Sequence, residues 1–167
     1  MAKFSITSPQ FEEGGEIPKK FGYKFDNINP EIDFENIPKD TISLALIMDD
    51  PDAMGAVGKV WVHWLLCNFN PSKTDIDEAF RREIYKTLML KDIGLAEGKT
   101  DFGEIGYGGP APPDKRHTYV FNAYALDVEL DLSEGFSKRE LEDAMKGHII
   151  AEAKLTGTFA PQINYLQ

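Results

Sequence analysis

The chain has 167 residues, of which 42% are apolar and 11% aromatic, and its formal net charge is −10. This composition excludes a disordered chain, and its acidic balance disfavours broad electrostatic binding to nucleic acid or to anionic lipid. No apolar run approaches the roughly 20 residues that span a bilayer, and the first residues lack the apolar segment of a signal peptide. The single cysteine, Cys67, excludes an internal disulfide. We therefore expect one cytoplasmic domain over residues 1–167, with no nucleic-acid partner and no integral membrane association.

Frequent glycines and prolines predict short strands joined by turns rather than long helices. The first strand signal is a short alternating segment with Ile32 and Phe34 on one face. Residues 42–48 are an almost continuous apolar run. Residues 60–69 are apolar on both faces, which predicts a strand at the centre of a sheet. Residues 117–126 are rich in β-branched and aromatic side chains, which are typical of a further strand.

Two helices are also predicted. Residues 75–85 fit a short helix. A clearer signal begins at Ser137, a candidate N-cap that forms a capping box with Glu140. Residues then recur at helical spacing as far as Glu152, which places His148 on the apolar stripe as a structural residue. The chain is therefore predicted to be mainly β, with a few peripheral helices.

Polar residues occur where two of the predicted strands end or begin. If the strand over residues 42–48 continues, alternation places the carboxylates of Asp50 and Asp52 on its apolar face. The same Asp-Pro-Asp string is also a common turn opener. Alternation places His63 on one face with Trp61 and Leu65, although a histidine in a core strand is more often a neutral structural residue.

A glycine- and proline-rich loop at residues 106–113 precedes the last polar cluster. Glycine lets backbone amides approach a ligand closely. His117 and Tyr119 follow the loop and share one face at the start of a strand. Polar groups gathered at strand ends over an apolar floor are what a small-ligand pocket requires.

Four motifs that include these residues follow one another along the chain. They are Asp49-Asp50-Pro51-Asp52-Ala53, Trp61-Val62-His63-Trp64, Gly108-Gly109-Pro110 with Pro112-Pro113, and His117-Thr118-Tyr119-Val120. With this order and spacing, residues 4–159 resemble the phosphatidylethanolamine-binding protein family, which includes the Raf kinase inhibitor protein, and above all its bacterial and archaeal branch. The resemblance implies a large central antiparallel sheet packed on a smaller sheet, with a few peripheral helices. It also implies a pocket at one end of the sheet that accepts phosphate, phosphorylated amino acids or a phospholipid headgroup.

The resemblance assigns roles to eight residues of this chain. Asp50, His63, His117 and Tyr119 would line the pocket, and Trp61, Ala53, Gly109 and Pro110 would form its wall and rim. A nearby Asp50 would raise the pKa of the histidines and favour the imidazolium form, which binds anions, while loop amides and the tyrosine hydroxyl add donors. The chain departs from the usual family pattern at four positions, and these departures bear on ligand choice: Met54, Ala111, Thr118 and Phe159.

We therefore expect a binding protein rather than an enzyme, with no cofactor, no bound metal and no catalytic residue. Its ligand would be phosphate or a phosphorylated small molecule, and its role would be regulatory, such as inhibition of a kinase or a serine protease. One alternative is a metal-dependent hydrolase in which Asp50, Asp52, His63 and His117 supply ligands to Zn²⁺ or Mn²⁺. Another is a scaffold with a vestigial pocket, whose function is carried by a surface or by a homodimer interface.

Overall fold

The computed structural model of the chain describes residues 2–80 and 94–162. Its strands are β1 (Ser5–Thr7), β2 (Gly15–Glu16), β3 (Ile32–Glu35), β4 (Ser43–Asp50), β5 (Trp61–Phe69), β6 (Asp75–Ile76), β7 (Ala96–Glu97), β8 (His117–Leu126) and β9 (Ile149–Phe159). Its helices are a 3-10 helix (Lys19–Phe21), α1 (Ala53–Val57) and α2 (Lys138–Met145).

The strands form two sheets of unequal size. The large sheet has the strand order β2-β9-β8-β4-β5-β7, and the small sheet has the order β1-β3-β6. Neighbouring strands are antiparallel, except that the short edge strand β2 runs parallel to β9. This architecture confirms the mainly β fold that was predicted, with a large sheet, a smaller sheet and a few helices.

Apolar cores cover both faces of the large sheet. On one face, Phe34 of the small sheet joins Leu46 and Phe121 in a single buried cluster. On the other face, Leu65 packs in a second cluster with Leu141 of α2. Strands with both faces buried have no polar face to show in the sequence, which explains the continuous apolar runs in β4 and β5.

The four predicted strands are all present in the structure. β8 has the predicted bounds, and β4 continues two residues beyond its predicted end, to Asp50. β5 is buried on both faces as expected. It is not central, however, because only the two-residue strand β7 separates it from the sheet edge.

The prediction of a helix continuing to Glu152 is wrong. The capping box is present, since the backbone N–H of Glu140 donates to the Ser137 hydroxyl and the backbone N–H of Ser137 donates to the Glu140 carboxylate. The helix nevertheless ends at Met145, and Gly147 turns the chain with a φ of 84°, a conformation that glycine adopts readily. His148 is therefore exposed and is not part of an apolar helix face. No helix in the described ranges is long and apolar enough to cross a membrane.

The residues after this turn form β9, which pairs with β8 along most of its length. Its buried side chains alternate with exposed or half-buried ones, as in Ala153, Leu155 and Phe159. The helix predicted over residues 75–85 is also wrong at its start, because Ile76 pairs with Ile32 in the small sheet and is fully buried. Residues 81–85 lie outside the described residues.

Candidate ligand-binding site

A pocket of about 140 Å³ lies where β4 ends and where β5 and β8 begin. Its lining consists of Asp50, Ala53, Ala56, Val57, Trp61, His63, Phe102, Ala111, Pro112, Pro113, His117 and Tyr119. Most of these side chains are apolar, and the polar ones come from three different strands. The volume is well below the roughly 300–1,000 Å³ of pockets for drug-sized molecules. Only a small ligand, or the end group of a larger one, fits inside.

Six of the eight residues expected at the site line this pocket: Asp50, Ala53, Trp61, His63, His117 and Tyr119. Gly109 and Pro110 do not line it. The N–H of Gly109 donates to Asn27 Oδ1 at 2.7 Å, and the carbonyl of Pro110 accepts from the N–H of Tyr23 at 3.0 Å. These two residues fasten the loop to the neighbouring segment, and the residues that follow them, Ala111 to Pro113, form the rim instead.

His117 lies between two carboxylates. Its Nδ1 is 2.6 Å from Asp50 Oδ2, and its Nε2 is 2.7 Å from Asp114 Oδ1. Asp50 is buried at the end of β4, whereas the side chain of Asp114 is 42% exposed. A neutral imidazole has one N–H and cannot donate to both carboxylates at once, so this geometry favours the doubly protonated imidazolium.

The charges around His117 agree with this assignment. Burial lowers the pKa of His117, but the hydrogen bonds to Asp50 and Asp114 outweigh burial, and the net shift is upward. Burial also raises the pKa of Asp50, against the opposing effect of His117. The hydrogen bond from His117 lowers the pKa of Asp114. Since carboxylates lie on both sides of the ring, we place the proton on His117.

His63 occupies a β-bulge. Met48 pairs with Trp64 and the next residue of β4 pairs with Val62, so His63 is an extra residue opposite a single step of β4. The bulge shifts the alternation of β5, so the prediction that Leu65 shares a face with His63 is wrong. Leu65 instead packs in the core under α2. Bulges are frequent where a strand must re-aim a side chain into a site.

Gly108 fixes the orientation of the His63 ring. The N–H of Gly108 donates to the His63 carbonyl at 2.7 Å, and His63 Nδ1 lies 2.6 Å from the Gly108 carbonyl oxygen. A carbonyl only accepts, so Nδ1 carries the proton and Nε2 of the neutral ring is an acceptor. A Cβ at position 108 would lie 2.6 Å from the Phe102 ring, so only glycine fits here without a shift.

The expectation that Asp50 raises the pKa of both histidines is wrong for His63. Burial lowers the pKa of His63 to about 4, and the backbone hydrogen bond to Gly108 only partly opposes it. The carboxylate of Asp50 is instead hydrogen-bonded to His117. The pocket therefore holds one imidazole whose pKa is raised by its carboxylate neighbours and one whose pKa is lowered by burial.

Asp52 does not share the pocket face with Asp50, because the chain leaves the strand before reaching it. Asp52 occupies the N-cap position of α1, and its Oδ2 accepts the backbone N–H of Thr118 at 2.8 Å. This bond ties the end of β4 to the start of β8. Asp52 therefore stabilises the strand ends that form the pocket, although it does not line the pocket itself.

Sequence reasoning missed four residues of the site: Ala56 and Val57 of α1, Phe102 and Asp114. Phe102 stacks on Tyr23 at 3.9 Å between ring centroids, and it meets the rings of Trp61 and His63 edge-on. Nothing in its local sequence marks it, since it reaches the pocket through a turn of the chain. Asp114 had a weak signal, because it lies three residues before His117 at the end of the proline-rich loop.

The departures from the family pattern are distributed unevenly around the site. Ala111 lines the pocket, whereas Thr118 and Phe159 are not among the lining residues. Met54 is exposed on α1, next to the lining residue Ala53. Of the four departures, Ala111 is thus the one in a position to contact a bound ligand directly.

Within the described ranges, two buried polar atoms of lining residues have no hydrogen-bond partner. They are Asp50 Oδ1 and Trp61 Nε1. Buried polar atoms are nearly always hydrogen-bonded, so each such atom needs an explanation. Asp50 Oδ1 is an acceptor, and the Trp61 indole N–H is a donor.

The pocket side chains do not come together as a metal-binding group. Among the residues that the structure describes, three ligand atoms come within 4.8 Å of one another only at Glu31, Asp33 and Asp75. These acidic residues belong to β3 and β6 or flank β3, in the small sheet. The predicted alternative of a metal-dependent hydrolase therefore gains no support from the geometry of the pocket.

A two-sheet β fold with a small histidine- and carboxylate-lined pocket at the end of its larger sheet is typical of proteins that bind a small ligand. The family model for phosphatidylethanolamine-binding proteins matches residues 7–160. The chain belongs to this family, as the sequence motifs indicated.

Relatives from archaea and bacteria agree with this assignment. A UPF0098 protein of Methanothermobacter thermautotrophicus is 41% identical over 155 residues, which cover 93% of this chain and 97% of the relative. A UPF0098 protein of Chlamydia trachomatis is 40% identical over 156 residues, with coverage of 92% and 97%.

Solved structures share the fold. The structure of CT736 from Chlamydia trachomatis, a homologue of phosphatidylethanolamine-binding protein, matches with a TM-score of 0.84 and 37% identity, covering 97% of this chain and all of that one (100%). YbcL of Escherichia coli, described as a new member of the mammalian family, matches with a TM-score of 0.84 and 27% identity, covering 96% and 100%.

Proposed function

We propose that the pocket binds a small anion, such as phosphate, a phosphorylated small molecule or a phospholipid headgroup, and that His117 is its principal donor. One observation carries this proposal: an anionic oxygen, Asp114 Oδ1, already lies 2.7 Å from Nε2 of His117, a residue that lines the pocket. The position beside the imidazolium therefore accepts a negatively charged oxygen. A ligand oxygen that takes this position makes a charge-assisted hydrogen bond.

Other groups complete the set of donors. The indole N–H of Trp61 is a buried donor with no partner among the residues that the structure describes, and Tyr119 is a further lining residue that carries a hydroxyl. The loop amides contribute less than the sequence suggested, because the N–H groups of Gly108 and Gly109 are engaged by His63 and Asn27. Apolar walls around these donors strengthen the hydrogen bonds that they make.

A regulatory role, such as inhibition of a kinase or a serine protease, is part of this proposal. Its support is the resemblance of the pocket motifs to the family that includes the Raf kinase inhibitor protein. Val57 lines the pocket and is exposed, and Met54 is exposed on the same short helix. This exposed apolar surface is available to a partner protein whose binding depends on whether the pocket holds a ligand.

A titration of the protein with inorganic phosphate and with O-phosphoethanolamine tests the proposal. The ring resonances of His63, His117 and His148 are followed by NMR at about pH 6, below the ordinary histidine pKa of about 6.5. We expect saturable shifts of His117 with both ligands. His148 is an internal control, because it is exposed and pairs with Asp127 beyond the far end of β8.

The variant His117→Ala removes the proposed donor, and we expect it to abolish the saturable shift of His63. His148→Ala is the matched control and should bind as the parent does. If neither pocket histidine responds to either ligand, anion binding is wrong, and a scaffold with a vestigial pocket becomes the better description.

A further inference from the structure

We propose that Asp114 determines the specificity of this pocket by occupying the ligand position at His117, so that an anion binds only if it displaces the Asp114 carboxylate. This inference rests on the proposed anion-binding function. It assigns to Asp114 a role in choosing among anions, beyond the general ability of the pocket to hold one.

The two carboxylates on His117 are not equivalent. Asp50 is buried at the end of β4 and is bonded to Nδ1 at 2.6 Å. Asp114 belongs to the loop before β8, and its side chain is 42% exposed. A buried carboxylate cannot leave the imidazolium without stranding a charge, whereas an exposed one can rotate into water. Asp114 is therefore the partner that a ligand can exchange.

The local charge favours this exchange. Asp50, protonated His117 and Asp114 together carry a net charge of −1. The described side chains that line the pocket include no lysine or arginine. Arg116, close by in sequence, contacts Glu16 and Thr158 instead, at 3.4 and 3.0 Å. Displacing Asp114 changes the net charge around His117 from −1 to 0, so an incoming anion meets less repulsion once Asp114 has moved away.

Competition with a carboxylate favours some anions over others. A monocarboxylate such as acetate offers His117 the same type of oxygen that Asp114 already supplies without a loss of translational freedom. Phosphate offers additional oxygens for a second donor that lines the pocket, the indole N–H of Trp61. Asp114 should thus exclude simple carboxylates while it admits phosphate at some cost in affinity.

The test compares inorganic phosphate and acetate as ligands of the parent, Asp114→Ala and Asp114→Asn at about pH 6. The alanine variant vacates the position, and the asparagine variant keeps the shape but removes the charge. We expect Asp114→Ala to bind phosphate about two- to fivefold more tightly, as loss of a partly exposed charged competitor implies. Acetate, silent with the parent, should produce a saturable shift of His117, and Asp114→Asn should be intermediate.

Asp127→Asn is the matched control. Asp127 pairs with the exposed His148 at 2.9 Å and is itself 54% exposed, so the substitution removes the same charge from the same kind of contact. It lies just past the opposite end of β8, a ten-residue strand of roughly 30 Å. This variant should bind phosphate like the parent, which shows that the change in overall charge is not responsible.

Unchanged phosphate affinity in Asp114→Ala would overturn the inference while leaving anion binding intact. Weaker binding would overturn it too, because Asp114 would then support the charge of His117 rather than compete with the ligand. If the parent and all variants fail to bind phosphate, the proposed function itself is wrong, and the inference falls with it.

Discussion

At the scale of single residues, the two pocket histidines show how surroundings decide protonation. Both rings are buried at the same pocket, yet the pKa of His117 is raised and that of His63 is lowered to about 4. His117 has a carboxylate at each ring nitrogen, whereas His63 has a backbone carbonyl at Nδ1. A charged acceptor compensates an imidazolium for lost water far better than a carbonyl does.

This contrast predicts a loss of stability in acid that depends on His63. Its folded pKa of about 4 is below the ordinary value of 6.5, so the unfolded chain takes up a proton first as pH falls. Stability is therefore lost as pH falls from about 6.5 to about 4, by up to roughly 3 kcal/mol at 1.36 kcal/mol per pKa unit. Urea unfolding of the parent and of His63→Asn across this range measures the effect.

Asparagine at position 63 keeps a side-chain N–H for the Gly108 carbonyl but does not titrate, so the variant should lose less stability in acid than the parent. His148→Asn, which changes an exposed histidine, should follow the parent curve. An equal loss of stability in His63→Asn and the parent would show that other groups cause the acid sensitivity.

At the scale of elements, the sequence predicts those strands whose signal is local. Runs such as residues 60–69 and 117–126 are recognisable as strands because both of their faces, or one clear face, are apolar. Short strands such as β2 and β7 have only two residues each, and pairing with distant chain segments creates them. The start of β9 fits a helical pattern equally well, and pairing with β8 decides its conformation.

The candidate site follows the same logic. Residues within recognisable motifs, such as Asp50, His63 and His117, were expected and do line one pocket. Phe102 and the bulge at His63 were not expected, because both depend on how separate segments pack and pair. Gly109 was predicted at the pocket rim for a related reason. It packs against residues 21–23, which are far away in sequence and could not be identified as neighbours from the sequence alone.

That packing predicts a large cost for Gly109→Ala. A Cβ at this position would overlap the carbonyl oxygen of Phe21 and lie 2.9 Å from backbone atoms of Gly22 and Tyr23. Backbone on both sides must move, so we expect a loss of about 1–3 kcal/mol or more in the free energy of unfolding. Urea denaturation measures this loss.

Gly55→Ala is the matched control, because a Cβ at position 55 of α1 meets nothing within 4 Å. Alanine is the better helix former by up to about 1 kcal/mol, so this variant should be as stable as the parent or more stable. A Gly109→Ala protein as stable as Gly55→Ala would refute the close approach of the loop to residues 21–23.

At the scale of the whole molecule, the two sheets share one core and the pocket depends on the larger sheet. Phe34 and Ile32 of β3 belong to the same buried cluster as Leu46 and Phe121 of the large sheet. The pocket lies at the end of the strands that this cluster supports, since its polar residues come from β4, β5 and β8. Loosening the small sheet should therefore destabilise the platform that carries the pocket.

A single cooperative unit would respond as a whole to a change in the small sheet. Ile32 is fully buried, and Ile32→Ala should cost about 2–5 kcal/mol, as large-to-small core substitutions do. Both tryptophans, Trp61 and Trp64, lie in β5, so fluorescence reports on the large sheet and, through Trp64, on the core that it shares with the small sheet. Hydrogen exchange of the β3 amides reports on the small sheet, and both measurements should register the same destabilisation.

Ile42→Ala is the control for the loss of side-chain volume, because Ile42 is 52% exposed and its truncation should change neither measurement appreciably. In Ile32→Ala, exchange of the β3 amides could accelerate while the fluorescence midpoint stays unchanged. That result would mean that the small sheet opens separately, against the single domain expected over residues 1–167. Coincident shifts would mean that the core joining the sheets is the source of cooperativity. Binding at the pocket should then also raise the stability of the distant small sheet, because a ligand that binds only the folded state stabilises the whole cooperative unit.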